Sequence, residues 1–180
     1  MADVGATQDG KAVIDPAIAA KLAEFDATKP IGTFTVATLP EPDASNLYRV
    51  ARVSDLFGET QGVVRCLSVG TLFYWRPESS DSAKAVPLVG NLDVLPLGHS
   101  QGLRFTGAIG VGVTRNVTLL TDKGWPGCTK EMSAAGLGSI LGTLNVLGTG
   151  LGTGVGLATG SYKKFMLDYS GGALSWIQLV

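Results

Sequence analysis

Histidine is almost missing from this chain: His99 stands alone among 180 residues. A serine-hydrolase triad, a zinc site or a histidine-assisted thiol nucleophile would all have to be built around that one imidazole. Cysteine is nearly as scarce. Cys66 and Cys128 are far apart and belong to no CxxC pair, so neither a zinc cluster nor a disulfide framework is expected. They read as two buried, reduced thiols behaving as small hydrophobes. Charge is also short. Only 16% of residues are Asp, Glu, Lys or Arg, where an ordinary domain carries roughly a quarter. The net charge is −1 and the nearest thing to a basic cluster is Lys163-Lys164, too little to track a phosphate backbone. Nucleic acid is therefore not an expected partner. The first ten residues carry an acid and no basic segment leading into an apolar run, so no secretory signal is read there. The sequon Asn116-Val117-Thr118 has no glycosylating context to give it meaning.

Apolar residues are not scarce: they make up 45% of the chain, and mean hydropathy is +0.27. With so little charge to cover the surface, part of that apolar area is expected to lie against neighbouring subunits. Residues 1–30 read as an extended arm, Met1 to Val13, followed by one short helix. Asp15-Pro16 offers an N-cap and a first-turn proline, and Ile18, Leu22 and Phe25 form a narrow apolar stripe that must dock on something. From Thr33 the helical period disappears. Strand-like stretches follow at Phe34–Thr38, Tyr48–Val53, Val63–Val69, Leu72–Trp75, two within Leu88–Leu97, then Leu103–Thr106, Ala108–Thr114, Val117–Thr121, Ile140–Leu147, Lys163–Tyr169 and Leu174–Leu179. The chain reads as mainly all-β, with residues 31–180 forming an antiparallel β-sandwich or jelly roll. No helix-length segment is left to cross over between parallel strands.

Glycine is abundant and unevenly placed, with 18 of 25 lying from Gly98 onward. Gly148, Gly150, Gly152, Gly154 and Gly156 fall on alternate residues, so in an extended chain one face would be bare backbone. Such a ribbon suits close packing between subunits; a glycine loop is the plainer alternative. Ser133 to Tyr162 is free of charge, but nine glycines within it argue against a membrane-spanning helix. Gly98-His99-Ser100-Gln101-Gly102 matches the nucleophile elbow of α/β-hydrolases in letters. Its only histidine sits inside the elbow, and a strand is expected where the elbow needs a helix. It reads as a polar turn. Trp75, Trp125 and Trp176 read as core or interface anchors ahead of a sugar-binding surface. No cofactor or metal site is expected.

Two stretches resemble modules of tailed-bacteriophage virion surface proteins. One runs from Phe34 through Leu39-Pro40 and Arg49-Val50-Ala51-Arg52-Val53-Ser54-Asp55 to a hairpin closing on Tyr74-Trp75-Arg76. The other runs from Arg115 to Leu179, through Asn116-Val117-Thr118-Leu119-Leu120 and Thr143–Gly148 to Phe165–Gly172 and Leu174-Ser175-Trp176. The resemblance implies a virion-surface location and a homotrimeric capsid decoration (cement) protein bound to the major capsid protein or another virion protein. A receptor-binding fibre knob is the alternative, and a serine hydrolase using Ser100 a remote one. Long-fibre features, such as collagen-like repeats or heptads, are absent. On this reading Ile18, Leu22 and Phe25 dock on the assembly and Gly148–Gly156 pack between subunits.

Overall fold

The fold is taken from a computed structural model that describes residues 29–58, 60–79 and 81–180. The expected arm and helix, with Ile18, Leu22 and Phe25, lie outside the described residues. Thirteen strands and no helix are found among those described. The β-rich reading stands. Pro30 opens the first strand.

Strands β1 (Pro30–Phe34), β2 (Val50–Leu56), β3 (Thr60–Val69) and β4 (Leu72–Pro77) form one sheet in that order. Alternation sets its faces: Ala51, Val53, Val64, Cys66 and Trp75 point into the core. Gly70 closes the expected β3–β4 hairpin with a left-handed φ of 56°. The strand expected at Phe34–Thr38 lies earlier, because Thr35 and Thr38 bond each other's backbone and side chains and turn the chain.

The plan is not purely antiparallel: β1 already pairs with β2 in parallel, and the rest of the chain departs further. Strands β5 (Lys84–Pro87), β7 (Gly102–Ile109) and β9 (Thr129–Ile140) pair in parallel in one sheet. Strands β6 (Leu92–Val94), β8 (Thr114–Leu119) and β10 (Thr143–Gly148) pair in parallel in another. The chain alternates between the two sheets, so residues 84–148 wind through three stacked coils. The sequence-level objection to parallel strands assumed a helical crossover; here each return path is a strand of the other sheet.

Stacking aligns residues of successive coils into ladders. Leu92, Val117 and Val146 lie in register, as do Lys84, Leu103 and Met132. Ile109 lies opposite Ile140. On the outer face Asn116 lies opposite Asn145, and its backbone N–H donates to Asn91 Oδ1, one coil earlier, at 3.0 Å. The inward residues of the β1–β4 sheet and of both coil sheets belong to one continuous core.

Antiparallel strands close the last coil. β11 (Val155–Gly156) covers β10 over two residues. β12 (Tyr162–Asp168) pairs with β9 from Thr129 to Ser133, and β13 (Ser175–Gln178) pairs with β12. The β9–β12 ladder ends with Gly160 N donating to Ala134 O. Beyond it, the stretch from Gly136 to Ile140 has no strand on that edge among the described residues.

Candidate functional site

The G-x-S-x-G string is a turn, residues 95–101 leading straight into β7, where a hydrolase needs a helix. Ser100 is 2% exposed, and its Oγ has no hydrogen-bond partner. His99 does not reach it: Nδ1 accepts from Leu95 N at 3.1 Å, which fixes the neutral tautomer with its proton on Nε2. Burial, followed by the nearby Lys130 charge, holds the imidazole below its ordinary pKa. The turn supplies neither a base for Ser100 nor a path for substrate. Ser100→Ala should therefore leave the thermal midpoint within a degree or two of wild type, as checked by calorimetry, because the hydroxyl it removes is unpaired.

What the turn does hold is a lysine. Lys130, on β9, is fully buried. Its Nζ donates to the carbonyls of Pro96 (3.0 Å), His99 (2.5 Å) and Ser100 (3.1 Å). Three carbonyl dipoles converge on one ammonium and pin the turn to the β5–β7–β9 sheet. Desolvation outweighs the attraction of Cys128 and Asp81 and pushes the ammonium down to about 8. Sequence reading missed this residue. Lys130 stands in no charge cluster, and its stretch of β9 was not recognised as strand.

Cys66 and Cys128 are separate, buried, free thiols, pushed up to about 11 and about 12, first by burial. No group of three His, Cys, Asp or Glu suited to a metal ion occurs among the described residues. Nor is any helix among them long and apolar enough to cross a membrane. The tryptophans are core anchors as expected. Trp75 Nε1 donates to Pro40 O and Trp176 Nε1 to Leu120 O.

The glycine ribbon is not one extended strand. Gly148 ends β10, turns follow, and Gly150, Gly152 and Gly154 have φ of 96°, 61° and 100°. Left-handed residues at every second position alternate as strictly as a strand does. Gly148 and Gly150 are packed against Trp176, and Gly154 against Leu147, all within the chain. Only Gly152 and Gly156 face open space.

The three most exposed large apolar side chains among the described residues share one kind of place. Val89 (84%), Val111 (79%) and Leu141 (65%) occupy the β5–β6, β7–β8 and β9–β10 corners of three successive coils. The last two corners are bonded together, with Leu141 N donating to Ile109 O and Thr143 N to Val113 O, both at 2.9 Å.

Comparison with family models, curated proteins and solved structures finds no match. The reading of function therefore rests on the residues themselves.

Proposed function

We propose that this protein is a non-enzymatic structural protein that completes its burial by associating with copies of itself, as a homotrimeric decoration protein of a virion shell. The observation that carries association is the set of apolar corners, Val89, Val111 and Leu141, repeated from coil to coil. A single exposed valine means nothing, whereas one at each successive corner makes a ridge along the stack. A ridge of this kind suits side-by-side packing of copies about an axis along the stack. The uncharged stretch from Ser133 to Tyr162 and the β9 edge with no partner strand among the described residues support the same reading. Solitary proteins usually guard such an edge with charge or proline. Gly152 and Gly156 are the ribbon residues with room for a neighbouring backbone.

The virion setting, the number three and the docking role of Ile18, Leu22 and Phe25 come from the sequence alone. On this reading the protein binds only the assembled lattice and so stabilises it by mass action, with several contacts per trimer adding through avidity.

Native mass spectrometry of the full chain is expected to show a trimer. Val111→Asp with Leu141→Asp should weaken association by about a hundredfold or more, since each buries a charge in an apolar contact. A wild-type monomer at high concentration ends the proposal. Antibody labelling of intact particles then separates shell-wide copies from copies at a vertex or tail.

The receptor-binding reading is favoured by one observation, the arginine-rich outer face of the β1–β4 sheet.

A further inference from the structure

We propose that the open end of the coil stack captures an extended, uncharged segment of a partner polypeptide, which adds to β9 as a strand. The site comes from the way the chain finishes its last layer. The three coils cross from one sheet to the other at the corners after β5, β7 and β9. The last layer returns by a shorter path: Leu157 N donates to Leu144 O, and by Gly160 the chain is already bonded to Ala134 O. That crossing, at residues 157–160, cuts inside the Leu141-Gly142 corner. It leaves residues 136–140 of β9 one strand short among the described residues.

A groove of about 700 Å³ opens beside that edge. The buried Leu144 and Leu157 and the half-buried Ile140 line it, with Thr143 and Thr159 exposed around them. No charged residue lines it. A guest backbone has room to approach: a Cβ on Gly138 would meet nothing closer than 3.8 Å, and one on Gly156 nothing within 4 Å. These features select the guest. The strand edge calls for main-chain donors and acceptors in extended form, and an uncharged wall rejects ionised side chains. Apolar residues at alternate positions face Leu144 and Leu157. The choice of a different polypeptide rests on the association proposed above, because packing about the stack axis leaves the ends of the stack free. A second copy stacked end to end would bring β5, the opposite edge of the same sheet, against β9, and β5 carries Lys84 and Pro87.

The probe is the acetylated and amidated peptide Ser-Val-Thr-Val-Thr-Val-Ser, titrated calorimetrically into the full chain, with amide hydrogen exchange and native mass read on the same samples. Binding is expected, with exchange slowed by the peptide at residues 136–140. Only one edge of the guest faces β9. Of two N-methylated forms, at the valines or at the threonines, one should therefore bind about tenfold or more weakly. Thr159→Arg, which puts bulk and charge at an exposed position of the groove, should weaken binding about tenfold or more with an unchanged unfolding midpoint. Thr153→Arg, the same charge change in the turns after β10, should do nothing. No binding, equal binding of all three peptides, equal loss in Thr153→Arg, or slowed exchange elsewhere overturns the proposal. So does exchange at residues 136–140 that slows with protein concentration alone, which puts a second copy in the groove. A trimer that ignores the peptide overturns this inference and not the association; a monomer that captures it does the reverse.

Discussion

Gly142→Ala should destabilise the fold by about 3–5 kcal/mol, a large share of the roughly 5–15 kcal/mol that holds a domain together. The reason is space rather than backbone freedom. A Cβ at Gly142 would overlap the Val113 carbonyl oxygen and stand 2.6 Å from that of Gly110. Those atoms belong to the corner of the coil beneath, so relief requires separating the coils. The hydrogen bonds from Leu141 N and Thr143 N to that corner would go with it. Gly156→Ala is the control. No atom lies within 4 Å of its Cβ position, so it should change the denaturant midpoint little, or raise it by restricting the unfolded chain. If the two variants unfold at the same denaturant concentration, the stacked corner does not hold the coils together.

The same corner explains an irregularity in register. Arg104 lies opposite Ser133, yet Ile109 lies opposite Ile140, so β9 gains two residues on β7 through two bulges. By β8 and β10 the debt is settled, and Thr114 is opposite Thr143. The tighter corner at Leu141-Gly142 absorbs the excess, and its tightness is what demands glycine.

Those bulges also show why β9 was not legible in the sequence. Its buried positions run Lys130, Met132, Ala134 and then Leu137, so the two-residue period slips at the first bulge. A lysine and an alanine among the inward residues weaken the pattern further. Hairpin β3–β4 had clean alternation and a glycine turn, and it was readable to within a few residues. Parallel stacking left a fainter signal. Leu92, Val117 and Val146, in register on the three strands of one sheet, each follow an asparagine, a short repeat at uneven spacing. Only a search for internal repeats would have turned that into coils. The glycine ribbon misled for a different reason: alternation alone cannot separate an extended strand from turns with every second residue left-handed.

Lys130→Met should cost about 2–4 kcal/mol at neutral pH, measured by chemical unfolding. It leaves the carbonyls of Pro96, His99 and Ser100 buried without a donor. Relief of a buried charge offsets part of that loss and keeps it below the sum of three orphaned acceptors. The pH dependence carries a sign that packing alone would not give. Folding lowers the Lys130 pKa from 10.5 to about 8, so between those values the unfolded chain binds a proton that the folded chain has released. Wild-type stability therefore gains from this group as pH rises from about 8 to 10.5, by up to roughly 3 kcal/mol. Cys66 and Cys128 act in the opposite direction above pH 9, because their folded-state pKa values are raised. Both thiols are present in the methionine variant, so subtracting its stability curve from the wild-type curve isolates the lysine. The gap between the two proteins should widen across that window. A gap that narrows instead would mean that the three carbonyls favour the ammonium more than burial penalises it, and that the turn is held by charge.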